Sequence, residues 1–306
     1  MSPETSSHAE RETDVLDQIV IDTPILGIMG PPGNGKSVAI NIVEDASNRT
    51  EIGDALGLGR PLNVGVARKS TTRPNRGADD RFKKSGLPNE AFDDPLMIGK
   101  YVLSNNGALY GYHADDLQAP EGTDVMVGEP SLHHIRELKD RISGQLHNVF
   151  LASDRDYRFA RLGGRGTEDP VEVRKRVLEG DAQTILVDML GADLNASPED
   201  LTDPEMVVLF RAVRNANDAD ELQRAVTALE KYLAGFAGVT GEAAKKYAMP
   251  TAKLYAEDIR HVGAGEAPVD HIIVLDDTFL SKEPIRSGKY RDQVLDQVRG
   301  LFNNRD

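Results

Sequence analysis

The stretch Ile25-Leu26-Gly27-Ile28-Met29-Gly30-Pro31-Pro32-Gly33-Asn34-Gly35-Lys36-Ser37 decides how the rest of the chain is read. A short apolar run enters a glycine-rich turn, and the helix-compatible segment Val38 to Asp45 follows. Gly30, Gly35, Lys36 and Ser37 satisfy the pattern G-x-x-x-x-G-K-[ST] in the strand–loop–helix context it requires. Glycines let the backbone curl until successive N–H groups point inward, which makes an anion-binding nest at a helix N-terminus. On this reading Gly30, Gly33, Asn34, Gly35, Lys36 and Ser37 cradle a nucleoside triphosphate. Lys36 reaches the β- and γ-phosphates, and the Ser37 hydroxyl ligates Mg²⁺.

Composition narrows what such a site can serve. The chain has 306 residues, room for one large domain or two modest ones with a sizeable core. Asp plus Glu number 50 against 36 Lys plus Arg, for a formal charge of −14. That balance argues against a broad nucleic-acid or anionic-membrane surface, so a phosphate site has to be a local basic island. The absence of cysteine excludes disulfides, thiolate metal ligands and a thiol nucleophile. No apolar stretch approaches the ~18 residues of a membrane helix, and Met1 to Asp17 lacks the basic-then-apolar order of a signal peptide. The expectation is a soluble, cytoplasmic protein acting on a small molecule as a monomer or homodimer. His133-His134 and the other histidines show no metal-ligand spacing and read as surface or packing residues.

Working outward, residues 1–22 read as a disordered or loosely attached tail. The helix after the loop is expected to end near Asn48, with glycine-punctuated connection over 51–63 and a second strand over Leu62 to Ala67. Arg68 to Arg81 is the densest basic stretch. Pro74 and Gly77 make it a loop, and arginines alternating with hydroxyls suit anion binding. Tyr101 to Leu103 and Tyr110 to Tyr112 read as a hairpin around Asn105-Asn106-Gly107. Asp124 to Gly128 is a buried-strand candidate that carries Glu129 at its C-terminal end, where ligands lie in open α/β sheets. A helix over Pro130 to Ile142 and a strand over Asn148 to Ala152 follow. Ser153 or Asp154 then caps a helix that ends at Gly163-Gly164.

Arg161, Arg165, Arg174 and Arg176 form a second basic island across a glycine break, and Pro170 is placed to start the next helix. Arg161 and Arg165 at a glycine hinge look like a closing lid over phosphates, whereas Arg174 with Lys175 reads as a solvated face. Residues 182–247 have helical periodicity and no chemistry-bearing constellation, and they read as a helical insertion that could recruit a protein partner. A last strand over His271 to Leu275 and a helix over Lys289 to Phe302 complete an alternation of strands and helices that implies a parallel sheet.

Together these stretches resemble guanylate kinase and its relatives in the nucleoside monophosphate kinase group. The resemblance runs in order through the glycine loop, Ser-Thr-Thr-Arg-Pro-Asn-Arg at 70–76, Leu-Tyr-Gly at 109–111, Arg161 to Arg176 and Ile-Val-Leu-Asp-Asp at 273–277. It implies a P-loop three-layer α/β/α fold with a parallel central sheet over 23–181 and 248–306. Within that fold lie a small acceptor-binding β subdomain over 68–118, an arginine lid over 161–176 and the foreign helical insertion. The implied reaction is ATP-dependent phosphoryl transfer to a nucleoside monophosphate, GMP first, with ATP and Mg²⁺ as cofactors. Arg73 and Arg76 would hold the acceptor phosphate with Tyr110, Ser70 would lie beside them, and Asp79 would contact the base. Arg161, Arg165 and Arg176 would embrace the donor triphosphate, and Glu129 would help organise magnesium.

Several positions depart from the family pattern, among them Leu275, where family members usually have Asn in the last strand. Tyr112 stands where a serine or threonine follows Tyr-Gly, Tyr101 stands in place of a guanine-reading glutamate, and Lys69 replaces a hydroxyl before Ser70. Base-reading positions are changed while phosphate-handling ones are kept. The resemblance therefore leaves open another nucleotide or deoxynucleotide, a phosphosugar, a non-catalytic binding module of the same fold, or a nucleotide-regulated scaffold whose helical insertion recruits a partner.

Overall fold

The structure is a computed structural model that describes residues 21–75, 81–102, 107–132, 134, 138, 146–164, 166, 169–194, 196–261, 269–275 and 288–303. In chain order its strands are β1 (Ile25–Met29), β2 (Val64–Ala67), β3 (Lys69–Thr71), β4 (Lys83–Lys84), β5 (Met97–Val102), β6 (Leu109–His113), β7 (Val125–Gly128), β8 (Leu146–Ala152) and β9 (His271–Val274). The helices longer than a single turn are α1 (Lys36–Glu44), α2 (Ala46–Ala55), α3 (Arg155–Gly163), α4 (Pro170–Met189), α5 (Pro204–Arg214), α6 (Ala219–Ala237), α7 (Gly241–His261) and α8 (Lys289–Asn303).

The protein is mixed α/β around a five-stranded sheet of order β2-β7-β1-β8-β9, in which every neighbouring pair is parallel. β1 lies at the centre and is buried along its whole length, as is β7. A strand covered on both faces needs a continuous apolar run rather than an alternating one, and Ile-Leu-Gly-Ile-Met supplies it. Leu26 and Ile28 face a core shared with α1 and α8, through Ile40, Val43, Val294 and Leu295. Ile25 and Met29 face the opposite side, Ile25 against Tyr112 and Leu138, Met29 against Phe150 and Val187.

A second sheet, of order β4-β3-β6-β5, branches from β2 one residue beyond its end. β3 pairs antiparallel with β6, and β6 antiparallel with β5, which has a bulge between Ile98 and Tyr101. The basic stretch expected to be a loop therefore begins as a strand, because Lys69, Ser70 and Thr71 are buried and need ladder partners for their amides. The expected hairpin is present as β5 and β6, while its turn at 103–106 lies outside the described residues.

Two other expectations are corrected. The helix after the glycine loop ends at Glu44, and Asp45 caps a new helix by accepting from the amides of Ser47 and Asn48. The span from 46 to 55, read partly as connection, is this helix α2. The helical segment is also longer than 182–247. Residue 182 falls inside the continuous helix α4, and α7 runs on to His261. α4, α5, α6 and α7 share one apolar core that includes Ile185, Phe210, Leu229, Leu233 and Tyr255. The expected helix over 130–142 lies mostly outside the described residues, as does the N-terminal tail over 1–20. Among the described residues no helix is long and apolar enough to cross a membrane.

Candidate functional site

Because the five strands are parallel, their C-terminal ends open on one edge of the sheet, and the segments leaving them meet there. β1 runs into the glycine loop, β7 into Glu129, β8 into Ser153, and β2 into β3 with Lys69.

The glycine loop is held in a fixed curl. Gly30, Gly33 and Gly35 have φ of 133°, 90° and 72°, in the left-handed region that favours glycine. At Gly30 a Cβ would also stand 2.5 Å from the Leu151 carbonyl oxygen, so no other residue fits. Lys36, the first residue of α1, folds its ammonium back over the loop and donates to the carbonyls of Gly30 (2.7 Å) and Pro31 (2.9 Å). From the other side the Tyr290 hydroxyl of α8 donates to the Gly35 carbonyl at 3.4 Å.

The Asn34 side chain turns back toward the sheet. Its amide donates to the Leu151 carbonyl at 2.7 Å and accepts from the Ser153 hydroxyl at 2.7 Å. A fully buried amide needs both partners, and β8 supplies them. Asn34 is therefore the pin that fastens the loop to the sheet.

Glu129 is the hub of the site. The Ser37 hydroxyl donates to one of its carboxylate oxygens at 3.2 Å, and the Lys83 ammonium lies 3.4 Å from the other. The Lys69 ammonium donates to its backbone carbonyl at 2.8 Å. Through this one residue the helix after the glycine loop is tied to β3 and β4 of the small sheet. Burial alone would raise the Glu129 carboxyl, but the ammonium groups of Lys83, Lys36 and Lys69 outweigh it and hold the pKa at about 2. Burial pushes Lys36 down to about 8 and Lys69 to about 7; the charge of Lys83 lowers both, and that of Lys36 lowers Lys69 further. Burial raises the pKa of Glu179 on α4, against the pull of Arg176 and Lys36. Such a site holds more positive charge than it neutralises, and an entering anion relieves the imbalance.

Replacing Glu129 with glutamine removes the carboxylate that Lys36, Lys69 and Lys83 share, a change expected to cost about 3–5 kcal/mol at pH 7. The carboxyl is bound more weakly to its proton in the folded state, so its contribution is full above pH 4.5 and is lost as pH falls toward 2. Urea unfolding of wild type and Glu129→Gln should thus show a stability gap that narrows steadily below pH 4.5.

The expected arginines are distributed unevenly. Arg176 on α4 lies close enough to Lys36 and Glu179 to act on their charges. Arg161, in the last turn of α3, acts on Tyr157 and on Tyr290, whose hydroxyl touches the glycine loop. Arg73 lies just past β3, half-buried, with its amide donating to the Thr71 hydroxyl at 3.1 Å and its carbonyl accepting from Gly86 at 2.8 Å. Arg76, Asp79 and Arg165 lie outside the described residues.

On the small sheet Ser70 is buried opposite Gly111, and Tyr110 is buried with the Lys69 ammonium 5.7 Å from its ring. Tyr101 stacks on Tyr110 at 5.4 Å between centroids and meets the edge of His134 at 4.8 Å, while its hydroxyl bonds to Ser131. Tyr112 is buried against the same imidazole at 5.0 Å.

α4 connects this site to the helical bundle. Asp169 caps it by accepting from Val171 and Glu172, and Pro170 occupies its first turn. Arg174, expected to be solvated, donates to the Ala237 carbonyl at 3.1 Å at the C-terminus of α6, and the Lys175 ammonium sits 4.9 Å from the Tyr247 ring on α7. At Gly180 the helix lies directly on the glycine loop, where a Cβ would come within 2.9 Å of the Pro31 ring. Next to it Asp181 is paired with Arg158 and, at 3.2 Å, with Arg155. Arg158 also donates to the carbonyls of Ser153 and, at 3.0 Å, Leu201.

The structure thus brings together Lys36, Ser37, Glu129 and Arg176 and adds Lys69, Lys83, Glu179 and the Arg158–Asp181 pair, which the sequence reading did not select. Lys69 had a signal, since it stands where a hydroxyl was expected; the rest look like ordinary surface charges. Among the described residues no cluster of three acidic or histidine side chains is placed to hold a metal ion. A divalent cation here would depend on the Ser37 hydroxyl, the Glu129 carboxylate and oxygens of a bound phosphate, a donor set that suits Mg²⁺. Compared with known proteins, the chain matches no family model and no curated relative.

Proposed function

We propose that the protein is an ATP-dependent phosphotransferase of the guanylate kinase-like type, built on a P-loop α/β domain with the small sheet as its acceptor side. What carries this reading is the convergence on Glu129: the loop with Lys36 and Ser37 comes from one side, and the basic edge of the small sheet from the other. Phosphoryl transfer asks little covalent chemistry of a protein, and most of the work is neutralising charge and aligning two phosphates. The bond from the γ-phosphorus to ADP breaks as a bond to an acceptor-phosphate oxygen forms.

Lys36, held over the loop by two carbonyls, would turn its remaining N–H and its charge to the β- and γ-phosphates, and Arg176 and Arg161 would close over them from α4 and α3. Mg²⁺, entering with the nucleotide and held by Ser37 and Glu129, would supply further charge neutralisation. Arg73 and Tyr110 would receive the acceptor.

GMP is the first acceptor to test. A second reading, a different phosphorylated acceptor, is favoured by two engaged side chains: the Tyr101 hydroxyl is committed to Ser131, and Tyr112 is buried. The test is ADP formation from ATP with GMP, dGMP, AMP, CMP, UMP and ribose 5-phosphate offered singly. Acceptor-dependent ADP release is expected with at least one of them. ATP that is neither bound nor consumed with any acceptor would sink the proposal.

A further inference from the structure

Lys69 is 7% exposed, yet among the described residues its ammonium makes a single hydrogen bond, to the Glu129 carbonyl. An ammonium has three donors, so two N–H groups have no acceptor there. Burying a cation with donors unused is costly, and Lys69 sits beside Lys36 and Lys83, which add to the cost. The charge that could neutralise it is already engaged, because the Glu129 carboxylate takes the Ser37 hydroxyl on one oxygen and Lys83 on the other. The Tyr110 ring near the ammonium gives it an aromatic wall and no acceptor. The chemistry that completes this arrangement is an oxyanion.

We propose that Lys69 forms a second oxyanion site, facing the Lys36 loop across Glu129, and that it binds the phosphate of the acceptor where the phosphoryl group is transferred. The assignment rests on the phosphotransferase reading and adds to it a catalytic residue that lies outside the glycine loop and is none of the arginines already assigned to phosphate binding. Lys69 would pair with acceptor oxygens, so that one anion approaches another with less repulsion. It moves no proton, since a phosphate dianion attacks without a base. A lysine that only braced the segment after β7 would bind nothing.

The experiment uses the full chain with saturating ADP and Mg²⁺ and titrates inorganic phosphate, ribose 5-phosphate and GMP into wild type, Lys69→Met and Lys69→Arg by calorimetry. Lys69→Met is expected to weaken each probe that binds wild type by about tenfold or more, the loss of a charged hydrogen bond. ADP affinity should stay within about twofold, and Lys69→Arg should recover most of the loss. Probe affinities in folded Lys69→Met within about threefold of wild type would overturn the site, as would ADP affinity falling in parallel or no probe binding to wild type. Inorganic phosphate binding as well as the esters marks a site for phosphate itself, while esters alone mark the acceptor, and both support it when sensitive to Lys69. If Lys69→Met does not fold, wild-type crystals soaked in tungstate decide: an anion on Lys69 Nζ supports the site, and one on the glycine loop alone overturns it. Failure of ADP to bind wild type overturns the phosphotransferase reading instead, and the phosphate and tungstate arms, run without nucleotide, still judge Lys69.

Discussion

Replacing Lys36 with alanine is expected to abolish acceptor-dependent ADP formation, by roughly a thousandfold or more, in a protein that still folds. The size follows from where its charge sits. The ammonium is held over the curled loop by two carbonyls, at 2.7 and 2.9 Å, so it is oriented before any ligand arrives. Charge placed in advance costs no reorganisation during the reaction, and a half-buried site screens it less than water would. Folding should survive, because the loop's curl also rests on Gly30, Gly33 and Gly35, on the Asn34 pin and on Tyr290, all of which remain when the two hydrogen bonds from Lys36 to the Gly30 and Pro31 carbonyls are lost. Stopped-turnover assays of ADP release, with circular dichroism as the control for folding, check both halves. Activity within tenfold of wild type in a folded variant would mean that the loop does not handle the transferred phosphate.

The glycine loop was readable in the sequence because its constraint is local: the apolar run, the glycine spacing and the helix that follows are consecutive residues. Asp154 and Pro170 were readable for the same reason, the one as a cap just before its helix and the other in the first turn of the next. α2 was hidden because its buried face is small. Of its ten residues only Asn48, Ile52 and Gly53 are buried, so no apolar period appears, and Gly53 reads as a breaker although a Cβ there would strike the Arg60 carbonyl at 2.1 Å. β3 was hidden because Lys-Ser-Thr looks like solvent-facing loop, and its burial comes from the sheets around it. The end of the α/β part was misplaced because α4 has no composition break. Val173 and Val177 pack with Leu162 of α3, whereas Leu178, Ala182 and Ile185, further along the same helix, enter the bundle. The pinning role of Asn34 was not legible because sequence does not say which way a side chain turns. Lys69, Lys83 and Glu179 were passed over because a charged residue is ordinarily solvated, and only the fold brings these three together.

Replacing Asp181 with alanine is expected to destabilise the protein by about 3–5 kcal/mol, the cost of breaking a buried ion pair from one side. Asp181 and Arg158 are both 0% exposed, and Arg158 also donates to the carbonyls of Ser153 and Leu201. Burial pushes the Asp181 carboxyl up to about 6, against Arg158 and Arg155, so the pair is ionised at pH 7.5, where unfolding should be measured. Without the carboxylate, the guanidinium stays buried with nothing to balance it.

A double variant, Arg158→Met with Asp181→Leu, removes both charges and fills the volume. It is expected to recover at least about 2 kcal/mol relative to Asp181→Ala, because no isolated charge remains. The pair also reaches the glycine loop. Arg158 holds the Ser153 carbonyl, the Ser153 hydroxyl holds Asn34, and Gly180 beside Asp181 rests on Pro31. Asp203 and Tyr232, from the bundle, join the same network through Arg155. Loosening it should therefore raise the KM for ATP in protein that is still folded, at temperatures well below unfolding, with kcat changing less. Equal stability of the single and double variants would show that the two charges do not act as a pair. An unchanged KM in a destabilised Asp181→Ala would show that the bundle and the glycine loop, though in contact, are not coupled through this network.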